Sequence, residues 1–190
     1  MAKKQTPKHK VFISFHEKDI KYKEDFVRMM GKRIVDRSVD TGNIDDTGLK
    51  TATVRQKIRD EYIRDATVTI VLIGPRTWQR RHVDWEIGSS IRKTRKNPRC
   101  GLLGIVLPNH PNHGKRKNLD PHLIPPRLAD NWTGDDSYAL IYDWPEPWAP
   151  AQVAEWIHRA FVRRDGIPPN NSRSPFALNR TRDYKKGWQN

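Results

Sequence analysis

Short apolar runs alternating with amphipathic segments predict an α/β protein whose parallel sheet is covered by helices on both faces. Three observations carry that expectation. The runs Val68–Ile73 (VTIVLI) and Gly101–Leu107 (GLLGIVL) are almost unbroken, as strands buried on both faces require. Residues at helical spacing follow the strand candidates, and turn residues such as Gly74-Pro75 close them. Five short strands in a βαβα order suggest a flavodoxin-like arrangement. In such a sheet the ligand crevice lies outside the carboxyl ends of the strands.

Val11–Phe15 (VFISF) is the first strand, behind a basic arm at residues 1–10. Tyr22, Phe26, Met29, Met30 and Arg33 repeat at helical spacing and give the first helix. Ser38–Asp40 is the expected short second strand, followed by a polar loop over Thr41–Lys50. Thr53 and Gln56 have the spacing of a capping box, ahead of a helical stripe of Val54, Ile58 and Tyr62. Val68–Gly74 is the third strand, and Val83, Ile87 and Ile91 mark the third helix. After the fourth strand, Gly101–Leu107, the segment Pro108–Asp136 holds five prolines and two glycines with little periodicity, so it reads as a long loop. Ala139–Trp144 (ALIYDW) is the last strand. Pro150 opens a final helix with an apolar stripe of Val153, Trp156, Ile157, Ala160 and Phe161. The domain therefore spans 11–164. Residues 165–190 form a basic tail that is expected to be extended or disordered, with Phe176, Leu178 and Trp188 as the side chains able to dock it.

The net charge of +14 raises the possibility of an anionic partner, but half of it resides in the two tails. That distribution weakens the case for a structured nucleic-acid-reading face. Cys100 is the only cysteine, which excludes an intramolecular disulfide and a cysteine-based zinc site. No apolar stretch reaches membrane length and no signal-peptide core is present, so a cytoplasmic location is expected.

Several common sites are absent from the strand ends. The turn after the first strand, His16 to Asp19, has no glycine-rich nucleotide loop, and there is no Walker A sequence. The third strand ends in Gly74-Pro75-Arg76 and offers no phospho-acceptor aspartate. His110, His113 and His122 sit in a Pro-Asn-Gly-rich loop, where solvated histidines are commoner than metal ligands; no metal is expected. Glu86 stands out. Helical spacing sets it about 60° from Val83, at the margin of the buried stripe, in the early turns of its helix. Two readings are open: a surface glutamate matched to the helix dipole and paired with Arg80 or Arg81, or a site carboxylate. Trp85 is open in the same way, between packing and a stacking platform.

The segments K-V-F-I-S-F-H-x-K-D at 10–19 and V-T-I-V-L-I-G-P-R-T-x-x-R-x-x-V-D-W-E-I at 68–87 resemble the TIR-like proteins of the Thoeris antiphage system, the ThsB type. The resemblance covers about residues 10–164. It implies a TIR-like domain with NAD⁺ as substrate and no further cofactor, which cleaves the bond to nicotinamide and makes an ADP-ribose-derived, cyclic signal for a partner effector. Glu86 then aligns with the catalytic glutamate. Nicotinamide leaves as a neutral molecule and needs no general acid, while a nearby anion stabilises the oxocarbenium-like ribose. The resemblance further implies substrate contacts from the strand ends. These are Phe15 or Trp85 stacking on a base, Arg81 on the pyrophosphate, Ser38 and Asp84 at the ribose or a loop, and His16 and Asp19 after the first strand. Asn112 and Asn118 would act from the Pro108–Asp136 loop as a lid that excludes water.

Two other classes compete. A non-catalytic TIR-like adaptor would use the same edges to build a homo-oligomer. A nucleic-acid-binding protein would use the basic tails, and it ranks last because no helix-turn-helix or aromatic repeat accompanies the charge.

Overall fold

A computed structural model describes residues 6–38, 50–95, 97–115, 118–134 and 136–189. Its sheet has five strands: β1 (His9–Ser14), β2 (Ile34–Asp36), β3 (Val68–Ile73), β4 (Gly101–Val106) and β5 (Ala139–Asp143). All neighbouring pairs are parallel, in the order β2-β1-β3-β4-β5. This is the α/β, flavodoxin-like sheet expected from the pattern. The helices are α1 (Ile20–Met30), α2 (Thr51–Lys57), α3 (Arg81–Ser90), α4 (Pro126–Ala129) and α5 (Pro150–Gly166).

Side-chain alternation along the strands splits the interior into layers. Val11, Ile13 and Phe15 face one side, where Phe26 and Met30 of α1 and Val153, Ile157 and Ala160 of α5 cover them. Phe12 points the other way, against Val54 of α2, Ile58 and Trp85 of α3. Further along that second face, Val71 and Ile73 pack with Val83, Ile87 and Leu128. A parallel sheet has no solvent face, which is why β3 and β4 are buried at every position.

Four expectations shift. The second strand is Ile34–Asp36 and not Ser38–Asp40, because Ile34 supplies the buried side chain and the register pairs His9 with Ile34. Ser38 still extends the edge: its Oγ accepts from the Ile13 amide at 3.0 Å. Asp40 and the loop residues 41–49 lie outside the described residues. The first helix stops at Met30, where Gly31 turns the chain at φ 51°, so Arg33 is not part of it. The capping box does not form, since α2 starts at Thr51 with Lys50 at the cap position and Gln56 bonds Asp60 instead. A wider π turn, Ile58–Tyr62, continues that helix. The long loop holds a turn at Pro121–Leu123 and the short α4, whose Leu128 is fully buried. One turn of helix is too short to leave a period in the sequence.

Beyond α5, residues 167–189 form a strap with a single helical turn at Tyr184–Lys186. It lies on the domain with Phe176 and Trp188 buried, while Leu178 stays 73% exposed.

One position tests the sheet–helix spacing. A Cβ on Gly101 would sit 2.2 Å from the Ala160 carbonyl oxygen of α5. Neither backbone can yield, so Gly101→Ala is expected to lower stability by about 1–3 kcal/mol, read as a fall in the urea midpoint with unchanged m-value.

Candidate active site at the β1–β3 crevice

The chain leaves β1 toward α1 on one face and leaves β3 toward α3 on the other, so the strand-order switch point falls between their carboxyl ends. The Thr77 hydroxyl closes the turn after β3. It accepts from the Gly74 amide at 2.9 Å and donates to the Leu72 carbonyl at 3.2 Å. That turn delivers α3 with Glu86 aimed back at the end of β1, where the Ser14 hydroxyl donates to Glu86 Oε2 at 2.5 Å. Glu86 is only 2% exposed. Burial pushes its carboxyl up to about 8, against the Ser14 hydrogen bond, which lowers it. Burial thus favours the protonated form of Glu86.

A second buried carboxyl lies in the loop after β1. Asp19 is buried over Gly74, so closely that a Cβ there would lie 2.0 Å from Asp19 Oδ2. Asn109, past β4, donates to Asp19 Oδ1 at 3.0 Å. Burial raises the Asp19 pKa and the Asn109 bond lowers it. Residues from three strand ends thus meet at one carboxylate. His16 is also buried and accepts from the Lys18 amide through Nδ1 at 3.0 Å. Burial, and then the Arg80 guanidinium, lower its pKa to about 4, so the ring is neutral. Arg80 pairs with Glu17 at 2.5 Å, joining the loops after β1 and β3 at the rim.

The family model described as Thoeris protein ThsB, TIR-like domain, matches residues 12–112. That is more than half of the chain. The protein belongs to the ThsB TIR-like family. The match runs from β1 through the loop after β4, so it takes in Ser14, Asp19, Gly74, Glu86 and Asn109. It assigns the chain to the Thoeris antiphage defence system. No curated protein matches the chain. No helix among the described residues is long and apolar enough to cross a membrane.

The candidate residues of this ThsB-type chain fall into two groups. Glu86 meets Ser14 at the end of β1, while Asp19 and His16 lie in the loop after that strand, Asp19 against Gly74 and Asn109, and Ser38 bonds the Ile13 amide at the neighbouring edge. The others are not brought to Glu86. Phe15 is one residue past Ser14, hence on the opposite face, packed with the α1 and α5 residues. Trp85 is buried between β1 and α2, and its Nε1 donates to the Phe176 carbonyl at 2.8 Å. Asp84 forms a buried ion pair with Arg127 of α4, through bonds of 2.9 and 3.2 Å, and accepts from the Phe176 amide at 3.0 Å. Arg81 stacks over Trp85, and its amide donates to Asn179 Oδ1 at 2.9 Å. Asn112 is buried with its amide bonded to His110 Nδ1, and Asn118 is exposed. His110 is held between that amide and the Leu123 carbonyl, and no group of three metal-ligating side chains occurs among the described residues.

Ser14, Gly74 and Asn109 were missed by reading the sequence. Ser14 did leave a signal, as the one hydroxyl inside the apolar run VFISF. Asn109 left none, since one more asparagine in a polar loop is unremarked.

Two outcomes follow from the geometry. A carboxyl whose folded pKa exceeds its ordinary 4.5 costs stability as pH rises between 4.5 and about 8, because the folded state keeps the proton longer. Glu86→Gln removes that cost. Its melting temperature relative to wild type is expected to climb by several degrees between pH 5 and pH 8 and to level off above, read by calorimetry across pH. Asp84→Ala leaves Arg127 charged and buried without its partner. Unfolding free energy from denaturant titration is expected to drop by about 3–5 kcal/mol.

Proposed function

We propose that this ThsB-type protein consumes NAD⁺ by cleaving the N-glycosidic bond between ribose and nicotinamide, with Glu86 as the catalytic carboxylate. The observation that carries this reading is the burial of Glu86 against Ser14 at the switch point of the sheet. A lone buried acid is unsuited to surface pairing with arginine and suited to responding to a cation. When the positively charged nicotinamide riboside enters, its charge favours the ionised carboxylate and draws the pKa down from about 8.

The chemistry then needs little else. The bond from ribose C1′ to the ring nitrogen breaks, and its electron pair leaves with neutral nicotinamide. The Glu86 carboxylate faces the oxocarbenium-like sugar in a water-poor site, where electrostatic stabilisation is strongest. Water or an adenine nitrogen supplies the pair for the new bond to C1′. With water, the released proton returns to Glu86. With adenine, the product is a cyclic ADP-ribose-derived nucleotide, and a partner effector would read it. In this scheme Ser14 orients the carboxylate. Asp19, His16 and Ser38 border the nucleotide, and Asn112 and Asn118 lie on the segment that would cover it. The competing adaptor reading needs no Glu86 carboxylate at all.

The test is NAD⁺ turnover with product analysis in lysates of phage-infected and uninfected cells, for wild type and Glu86→Gln. Infection-dependent loss of NAD⁺ with a new ADP-ribose species is expected, reduced at least about 100-fold in the variant. Equal phage protection by wild type and Glu86→Gln, without NAD⁺ loss in either, would sink the enzyme and leave the adaptor.

A further inference from the structure

Helix α3 carries Glu86 inward, while its outer face belongs to the strap. Residues 81, 84, 85 and 88 recur at i, i+3, i+4 and i+7, so they share one face. The strap bonds all four. Asn179 Oδ1 accepts from the Arg81 amide at 2.9 Å, a helix-end donor for which Arg80 supplies no side-chain cap. The Phe176 peptide engages two successive residues: its N–H donates to Asp84 Oδ2 at 3.0 Å, and its carbonyl accepts from Trp85 Nε1 at 2.8 Å. Asn171 Nδ2 donates to the Gly88 carbonyl at 2.9 Å. At Gly88 the helix also lies close to α2 and α4, since a Cβ there would meet the Arg55 guanidinium at 2.9 Å and Arg127 Nε at 3.1 Å.

The strap is tied to the rest of the crevice as well. Arg127 of α4, already paired with Asp84, donates to Asn171 Oδ1 at 2.7 Å and to the Arg173 carbonyl at 2.8 Å. Farther on, the Arg180 amide donates to the Gln79 carbonyl at 2.8 Å, on the turn after β3. Trp188 Nε1 donates to the Ile124 carbonyl at 2.8 Å, in the segment after β4. A helix held at four points over two turns can neither rotate nor slide without breaking a bond to the strap.

We propose that the strap is a positioning element for Glu86, acting through the Phe176 peptide on the Asp84 and Trp85 side chains of α3 and through the Asn179 carboxamide on its Arg81 amide. Its catalytic meaning rests on the NAD⁺-cleaving role of Glu86, and its structural meaning does not. A catalytic group misplaced by about 1 Å loses rate by orders of magnitude, so an element that fixes α3 along its axis sets the reaction geometry without touching substrate.

The test uses the full chain with Phe176→Ala, Asn179→Ala and, as a control on the same strap, Leu178→Ala at an exposed position. Three readouts are compared with wild type. The titration of the Glu86 carboxyl is followed by its infrared carbonyl band, assigned by its loss in Glu86→Gln. Amide hydrogen exchange is followed along α3, and kcat and KM for NAD⁺ are measured. With Phe176→Ala, the Glu86 midpoint is expected to fall by about one unit or more as water reaches the carboxyl. Exchange in α3 should quicken about tenfold or more. The kcat should fall about tenfold or more with KM within about twofold, and Phe176→Leu should recover most of each loss. Leu178→Ala should change nothing. If Phe176→Ala does not fold, Asn179→Ala removes only the helix-end bond at an exposed residue and carries the same test. A lower melting temperature with an unchanged Glu86 midpoint and unchanged α3 exchange would overturn the proposal. If wild type consumes no NAD⁺, the proposed activity falls alone, and titration and exchange still decide whether the strap positions Glu86.

Discussion

The buried pair of Asp84 and Arg127 holds together more of this molecule than any other contact. Two opposite charges withdrawn from water have to satisfy each other and every remaining donor and acceptor. Here the remaining positions of the guanidinium go to Asn171 and to the Arg173 carbonyl, and the carboxylate takes the Phe176 amide. The pair therefore joins α3, α4 and the strap into one unit. Without the strap, α3 would lose the partners of its outer face. With it, every residue from Val83 to Ser90 is buried.

That enclosure decides the electrostatics of the crevice. Burial favours the neutral form of Glu86, against the hydrogen bond from the Ser14 hydroxyl. A neutral acid tolerates burial at modest cost, whereas a carboxylate in the same place waits for a cation. His16 obeys the same logic with the opposite sign: burial and Arg80 keep its ring uncharged. Asp19 accepts from Asn109 and lies against Gly74, and burial raises its pKa.

The excess positive charge reads differently once the strap is in place. In sequence the basic tail resembles a free polycation. In the fold, Arg173 pairs with Asp130 and lies over Trp188, Arg180 lies over Phe176, and Arg76 of the β3 turn lies over Tyr184. Arginine suits both uses, since its planar group accepts a carboxylate at its edge and a ring at its face. These cations are fasteners for the strap.

The alternation of strands and helices and the parallel sheet were legible in the chain, because each depends on neighbours in sequence, whereas the same neighbours left Glu86 open between a surface and a site carboxylate. Apolar runs of about six residues closed by turn residues read as strands, and Val83, Ile87 and Ile91 make a helix stripe without knowledge of its partner. The second strand was misplaced because three residues of Ile34–Asp36 carry too little pattern, and pairing with β1 defines it. Phe15 and Trp85 looked like site aromatics until strand alternation and α2 turned them into core. What the sequence determined by itself is therefore the layered α/β architecture. Only the tertiary structure could decide that Ser14 faces Glu86 from 72 positions away, that Asp84 belongs to Arg127, and that an aperiodic tail covers α3. Those contacts join residues far apart in sequence, and distant pairings leave no local period to read.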